Sequence, residues 1–229
     1  MLYGPVTSGQ NTENGYFMTD VIQGDDVTIY LFEPDSDKGE SLLTIKRVVH
    51  GYKNLFSGMS DSKNGFGASL ACNKNIACYP AWDEESDAVA LVLLSGGEAW
   101  CSGALLMTAN QGFNPYFLTA FHCIDTDDNN SISGSEISDA ENWMFKFQYK
   151  VSSCKGNTLI PSVTYNGADF KAAWQSSDFA LMEMDDSPVD DATRHSWFSW
   201  LGWDRSGNTP SSGTIIHHPK GNVMKISFD

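Results

Sequence analysis

Apolar and polar residues alternate along much of the chain with the period of β-strands. In the first part, residues 26–32 alternate well, and residues 41–50 form a second stretch that is typical of a strand. A stretch rich in Gly, Ser and Asn follows at residues 57–68 and indicates a linker. We therefore predict a small β-rich module at residues 1–60, either a propeptide or an accessory domain, and a linker at residues 61–71.

The second part of the chain has stronger strand patterns. Residues 88–94 form a continuous apolar run of strand length, and further candidates follow at 100–107, 116–120, 142–149 and 179–184. Helix signals are few, and the best is a short turn at residues 135–141. Strands at a spacing of roughly 8–12 residues predict a β-barrel or a β-sandwich. Three more segments look like the first strands of another sheet, at 199–203, 214–218 and 223–228.

Composition supports a folded protein with an acidic surface. Hydrophobic residues make up 41% of the 229 residues and charged residues 19%, which is typical of a globular chain and not of a disordered tail. With 14 Lys and Arg against 29 Asp and Glu, the formal net charge is −15. A charge of this sign and size argues against nucleic acids and anionic membranes as partners.

The cysteines and the N-terminal residues indicate in which cellular compartment the protein is found. No run reaches the roughly 18 apolar residues that a membrane span requires, and residues 1–5 lack the basic and apolar regions of a signal peptide. Five cysteines in an acidic, β-rich chain nevertheless favour an oxidising compartment. Because five is an odd number, one cysteine lacks a partner in this sequence. We therefore expect a piece of a longer, secreted protein whose signal peptide lies outside the sequence.

The first candidate for chemistry is His122. Residues 101–106 read CSGALL, and residues 117–123 read FLTAFHC, which places His122 directly before Cys123. A small-residue strand followed by LTA-x-His-Cys resembles the catalytic-histidine region of trypsin-like serine proteases, where a general base is held rigidly beside a nucleophile. Without the two flanking motifs, His122 would be read as an ordinary strand-end histidine beside a structural disulfide.

The second candidate is Asp178, which lies 56 residues after His122 in the stretch SDFALMEM. In the same family the aspartate of the triad opens an apolar strand, and the order His then Asp matches the chymotrypsin-type order. The resemblance implies that Asp178 accepts the imidazole N–H and orients the ring. Taken alone, the residue would be read as an aspartate that caps a strand.

Further motifs narrow the resemblance to the lysyl endopeptidase branch, the bacterial Lys-C-like proteases. They are CNKNIACYP at residues 72–80, LGWDR at 201–205, IIHHP at 215–219 and KIS at 225–227. The resemblance implies a mostly β, trypsin-like double β-barrel over residues 72–229, with the first barrel complete and the second truncated. It also implies secretion, a monomer, protein or peptide substrates, cleavage after lysine or another basic residue, and a zymogen processed within residues 57–71.

The resemblance also implies how the cysteines pair. Cys101 and Cys123 would form the bridge of the histidine loop, and Cys78 and Cys154 would form a second bridge. Cys72 would bond to a cysteine in a C-terminal half that this sequence does not contain.

The sequence departs from the family in one respect that decides its activity. The nucleophile loop of the family, G-x-S-G-x-P, is absent, and Ser102, Ser133 and Ser212 lack its flanking residues. The oxyanion hole is built from backbone N–H groups of that same loop. We therefore expect an inactive fragment of a secreted serine endopeptidase. The alternative is a catalytically dead, calcium-stabilised binding or adhesion module of the same fold.

Residues 125–136 resemble an EF-hand calcium loop. Oxygen ligands fall at loop positions 1, 3, 5, 7, 9 and 12, as Asp125, Asp127, Asn129, the backbone of Ser131, Ser133 and Glu136. Because calcium takes six to eight oxygen ligands, this spacing predicts a structural Ca²⁺. A solvated acidic loop is the plainer alternative.

The remaining signals predict no cofactor for catalysis. H-E-x-x-H and C-x-x-C are missing, which argues against a zinc site, and no Gly-rich phosphate loop is present. His217 and His218 are interpreted as packing and hydrogen-bonding residues near the cleft.

Overall fold

The computed structural model of the protein describes residues 4–11, 15, 17–19, 22, 26–48, 69–93, 100–189 and 195–229. Its strands are β1 Lys74–Asn75, β2 Val89–Leu93, β3 Trp100–Leu105, β4 Tyr116–Thr119, β5 Met144–Phe147, β6 Val163–Asn166, β7 Ala168–Trp174, β8 Phe179–Met184, β9 Thr214–His217 and β10 Lys225–Phe228. The two α-helices are α1 Asp83–Ser86 and α2 Gly134–Ala140. None of the helices in these residues could cross a membrane by length and apolarity.

Seven strands form one antiparallel sheet in the order β6-β5-β2-β3-β4-β8-β7. Strand β2 lies between β5 and β3, and every one of its side chains is buried. This burial on both faces explains why its sequence is a continuous apolar run and does not alternate. Strand β8 alternates between partly and fully buried residues, as expected where one face packs on the core and the other is more open to solvent.

The sheet curls until its two edge strands meet. Strands β6 and β7 lie at opposite edges, yet only Gly167 separates them along the chain. The Gly167 N–H donates to the Trp143 carbonyl at 2.9 Å, and its own carbonyl accepts from the Asp185 N–H at 3.1 Å. Gly167 therefore bonds to the ends of both halves of the sheet. Its φ of +81° is a conformation in which glycine carries no steric penalty.

Aromatic side chains fill the interior of the curled sheet. Phe117 contacts Phe145 at 4.8 Å and Phe147 at 6.3 Å between ring centroids, both edge to face. All three side chains are fully buried. Phe198, from the segment after β8, closes this cluster against Phe147 at 5.1 Å. Burial of a phenylalanine contributes on the order of 2–3 kcal/mol, so this cluster stabilises the barrel that carries the candidate site.

A second, three-stranded sheet has the order β1-β10-β9. Its strand β1 comes from the beginning of the cysteine-bearing region and pairs with β10, about 150 residues later. Ile76, Val89, Met224 and Ile226 form a small core between this sheet and the barrel. The fold class is thus confirmed: the chain is mostly β, with a curled antiparallel barrel sheet and the strands of a second sheet.

Several strand predictions differ from the structure. Residues 199–203 contain only an isolated bridge between Leu201 and Leu106 and no strand. Strands β6 and β7 were not predicted, since VTYN is short and the stretch 168–174 mixes small, charged and aromatic residues. The turn predicted at 135–141 is confirmed as helix α2.

The strand predictions in the N-terminal part are wrong for the residues that the structure describes. Residues 26–32 and 41–48 carry no strand assignment there, and apolar side chains such as Tyr30 and Leu42 are 84% and 92% exposed. Alternation makes a strand only when a partner strand supplies hydrogen bonds and covers the apolar face. The division into a module at 1–60, a linker and a protease domain stays a prediction, and residues 49–68 lie outside the described ones.

Candidate active site

His122 lies in a tight turn at the end of an inner strand. Strand β4 leads into the 3₁₀ turn Phe121–Cys123, in which Phe121 and Cys123 are buried. The histidine between them points outward, and its side chain is 66% exposed. The Cys101–Cys123 disulfide fixes the turn to β3. The ring of His122 is therefore accessible to solvent, whereas its backbone is fixed by the buried neighbours Phe121 and Cys123 and by the disulfide.

Asp178 lies beside His122, at the end of the turn between β7 and β8. The 3₁₀ turn Gln175–Ser177 follows β7, and Asp178 ends it with φ +52° before β8 begins. Aspartate is one of the few residues that tolerate this left-handed conformation. Its carbonyl accepts from the Phe121 N–H at 3.1 Å, so the two turns are joined through the backbone as well as through side chains.

The carboxylate of Asp178 holds His122 by two hydrogen bonds. Its Oδ2 lies 2.8 Å from the ring Nδ1, and its Oδ1 accepts from the His122 backbone N–H at 3.0 Å. A carboxylate only accepts, so the neutral ring carries its proton on Nδ1. The lone pair of Nε2 is then free to take a proton, which is the arrangement of a general base.

The electrostatics favour an ionised aspartate. Partial desolvation raises the pKa of Asp178, but the hydrogen bonds from the His122 backbone and ring, with the attraction of the ring charge, outweigh it. The net pKa lies below the usual value of an aspartate. Asp178 is 53% exposed, so solvent screening makes this effect modest.

The three serines weighed from the sequence have other contacts in the structure. The hydroxyl of Ser102 accepts from the His218 backbone N–H at 2.8 Å. Ser133 caps helix α2, and Ser212 is exposed before β9. The ring hydrogen bond found for His122 within the described ranges goes to Asp178. The two predicted residues are thus hydrogen-bonded to each other, and the printed side-chain contacts of Ser102 and Ser133 are with other groups.

Residues 66–229 match the family model described as Lysyl endopeptidase, C-terminal domain. The chain belongs to this family. The resemblance inferred from the sequence motifs is confirmed, and the chain is a relative of a serine protease. The match includes His122, Asp178 and both sheets, whereas residues 1–65 lie outside it.

The disulfides of this lysyl endopeptidase relative join the pairs that the resemblance implies. Cys78 bonds to Cys154 and Cys101 bonds to Cys123. Cys72 is exposed and is a free thiol. Although Cys101, His122 and Cys123 come close enough to suggest a metal site, the two sulfurs are bonded to each other and are not available as thiolates.

The acidic loop brings three of its predicted ligands together. One carboxylate oxygen each of Asp125, Asp127 and Glu136 lies within 4.8 Å of the others. Glu136 occupies the third position of α2 and completes a capping box with Ser133. The Asn129 side-chain amide donates to Asp127 at 2.9 Å.

The carboxylates of this loop are already hydrogen-bonded. Glu136 accepts from the Thr126 and Ser133 backbone N–H groups, each at 2.8 Å, and Asp125 accepts from Asn129 and Asn130. The hydrogen bonds from Ser133, followed by those from the chain at Thr126, lower the pKa of Glu136 to about 2 against the opposing effect of burial. Ser131 is exposed. The calcium site stays a prediction.

Both histidines of the second sheet have structural contacts. His217 Nε2 lies 3.1 Å from Asn73 Oδ1, and His218 is almost fully buried. Sequence reasoning did not find the contact between His218 and Ser102, nor the hydrogen bond from Gln175 to Asn130 that links the Asp178 turn to the acidic loop. Neither has a sequence signal, since the partners are 116 and 45 residues apart.

Proposed function

We propose that the chain is part of a secreted serine endopeptidase in which His122 is the general base, Asp178 orients it, and a segment outside this sequence supplies the serine. The observation that carries this proposal is the double hydrogen bond of Asp178 to the ring and backbone of His122. Family membership supports it, because the matched domain is that of a lysyl endopeptidase.

In this mechanism His122 moves a proton between two atoms. Nε2 takes the proton of the serine hydroxyl as the oxygen attacks the scissile carbonyl, and the imidazolium then donates it to the leaving amine. Asp178 stays ionised and stabilises the imidazolium through Nδ1–H. Loss of either residue should lower kcat by about 10⁴-fold or more.

The expected substrate is a peptide bond after lysine or another basic residue. Family membership supports this specificity, and the net charge of −15 would attract basic substrates to the surface. The expected protein is a monomer and a zymogen that is processed within residues 57–71, with residues 1–60 as the propeptide or accessory module.

The test compares this chain with a longer product of the same coding sequence. The longer protein should contain G-x-S-G-x-P, react with a fluorophosphonate probe and hydrolyse a lysyl ester. His122→Ala and Asp178→Asn should abolish hydrolysis, whereas Asp139→Asn on the exposed side of α2 should not. The 229-residue chain should stay unlabelled. Hydrolysis that survives His122→Ala, or a longer protein without the serine motif, would refute the proposal.

The second candidate function is a catalytically dead binding or adhesion module stabilised by calcium. The convergence of three carboxylates in the loop 125–136 favours calcium binding, and this loop begins three residues after His122. Free calcium at a concentration 100 times its Kd would stabilise the fold by about 2.7 kcal/mol. For a protein of this size that is a rise in Tm of about 5–10 °C.

The calcium test is a thermal titration of the 229-residue chain. Calcium at millimolar concentration should raise Tm, Asp125→Asn and Asp127→Asn should remove the rise, and Asp139→Asn should keep it. An unchanged Tm at millimolar calcium would leave the loop as a solvated acidic loop.

A further inference from the structure

Two buried polar residues between strands β9 and β10 lie outside the His122–Asp178 pair. His218 and Asn222 lie at the two ends of the turn between β9 and β10, and they are 2% and 1% exposed. The His218 Nδ1–H donates to the Asn222 carbonyl at 2.9 Å, and its ring stacks on Tyr149 at 5.9 Å. The turn is therefore closed by a side chain that is itself buried and stacked on Tyr149.

This turn is bonded to two segments that are distant in sequence. The Asn222 side-chain amide donates to the Ser69 hydroxyl at 2.7 Å, across 153 residues. The His218 backbone N–H donates to the Ser102 hydroxyl at 2.8 Å, across 116 residues. Ser69 precedes β1 and Ser102 belongs to β3, so the turn joins the N-terminal segment of the matched domain to the barrel.

Ser102 also lies next to two contacts that hold the turn Phe121–Cys123, a hydrogen bond from Thr119 and the Cys101–Cys123 disulfide. Its carbonyl accepts from the Thr119 hydroxyl at 3.0 Å, and its neighbour Cys101 is bonded to Cys123. A continuous chain of hydrogen bonds thus runs from residue 69 through residues 222, 218 and 102 to residue 119. Because these bonds tolerate only small changes in distance and angle, a displaced turn must move Ser102 or break a bond.

The tautomer and charge of the His218 ring are those expected of a residue whose hydrogen bond is permanent near neutral pH. Its Nδ1–H donates to a carbonyl, so Nε2 is the unprotonated nitrogen, and this atom is buried without a hydrogen-bond partner. Desolvation lowers the pKa of His218 to about 4. The ring therefore stays neutral near neutral pH and keeps its Nδ1–H bond. Titratable groups beside the ring are Tyr149, on which it stacks, and the adjacent His217.

We propose that His218 is a positioning residue for the His122–Asp178 pair: it fixes the second sheet and the segment at Ser69 against the strand that carries Cys101 and Ser102. The inference rests on the proposed function, since it assigns His218 a role in holding that dyad. It does not require the nucleophile, and it can therefore be tested on the 229-residue chain itself.

The experiment measures the tautomer of His122 by ¹⁵N NMR in histidine-labelled protein. In the unmodified chain the neutral ring should carry its proton mainly on Nδ1. Ser102→Ala removes the acceptor of the His218 N–H and should lower the ratio of Nδ1–H to Nε2–H forms about threefold to tenfold, the factor for one hydrogen bond. Ser227→Ala is the matched control: this residue of β10 loses its hydroxyl contacts with Asn73 and His217, which lie outside the chain of bonds.

A second variant covers the case in which Ser102→Ala fails to fold. Ser69→Ala acts at the far end of the chain of bonds and should lower the same ratio in the same direction. The two effects should be less than additive in the double variant. If Ser102→Ala or Ser69→Ala lowers Tm as Ser227→Ala does and leaves the ratio within about twofold of the unmodified chain, the proposal is overturned and His218 is only structural.

The two proposals fail in different ways. An unmodified chain in which His122 carries its proton on Nε2 would contradict the dyad of the proposed function and remove the role assigned to His218. If His122 carries its proton on Nδ1, but the ratio of the two forms does not change in Ser102→Ala or Ser69→Ala, only the role proposed for His218 is overturned.

Discussion

Gly103 lies in β3 close to residues of strand β4, and its replacement by alanine should be severely destabilising. An added Cβ would overlap Cε1 of Phe117 and the carbonyl oxygen of Leu118, and Phe117 Cζ would lie at 2.7 Å. Neither neighbour can move easily: the Phe117 ring is fully buried against Phe145, and the Leu118 oxygen is backbone of β4. The strands β3 and β4 would have to separate.

The magnitude follows from the kind of contact. Overpacking of a core usually costs about 1–3 kcal/mol, and we expect Gly103→Ala near the upper end because backbone is involved. For a chain of this length each kcal/mol lowers Tm by about 2–4 °C, so the expected fall is about 6–12 °C. Since β4 leads into the His122 turn, the Nδ1–H form of His122 should also decrease.

Calorimetry of Gly103→Ala and Gly134→Ala checks this reasoning. Gly134 begins helix α2 and an added Cβ there meets nothing within 4 Å, so the same substitution should leave Tm unchanged or raise it slightly. A Tm for Gly103→Ala within about 2 °C of the unmodified protein would show that β3 and β4 can separate at little cost, and the reasoning would be wrong.

Three further predictions concern Glu136 of the acidic loop, the Cys78–Cys154 disulfide and the hydrogen bond from Gln175 to Asn130. Because the pKa of Glu136 is lowered from 4.5 to about 2, the ionised carboxylate contributes its full stabilisation above about pH 4.5, and this contribution is lost as the pH falls towards 2. A plot of Tm against pH should show the loss, and Glu136→Gln should remove this pH dependence. Removal of the Cys78–Cys154 bridge, which closes a loop of 76 residues, should cost about 4 kcal/mol in urea unfolding, and a cost below about 1 kcal/mol would contradict the loop-entropy account. The exposed hydrogen bond from Gln175 to Asn130 should show a coupling free energy of at most about 1 kcal/mol in a double-mutant cycle of unfolding. A larger value would mean that more than this one hydrogen bond couples the acidic loop to the Asp178 turn.

The local motifs around the dyad could be read from the sequence because their chemistry is local. The pattern at residues 116–120 predicts a strand just before His122, and β4 followed by the turn Phe121–Cys123 has this form. SDFALMEM predicted an aspartate at the start of a strand, and Asp178 directly precedes β8. The strands follow from the local apolar pattern, whereas the roles expected of His122 and Asp178 come from the resemblance to trypsin-like serine proteases.

The contacts between distant segments were decided only by the tertiary structure. The alternation at residues 26–32 indicates a strand as well as that of β8 does, but only β8 has partner strands on both sides. Likewise, nothing in the sequence around Gly167 shows that it closes the sheet, and nothing around His218 shows that it meets Ser102. Periodicity reports which side of a segment is buried, whereas the partner that buries it is chosen by the packing of the whole chain. The sequence by itself therefore pointed to His122 and Asp178 and, through the resemblance, to the disulfide beside them. Only the tertiary structure decided which other distant groups hydrogen-bond around them, because such partners are chosen by the packing of the whole chain.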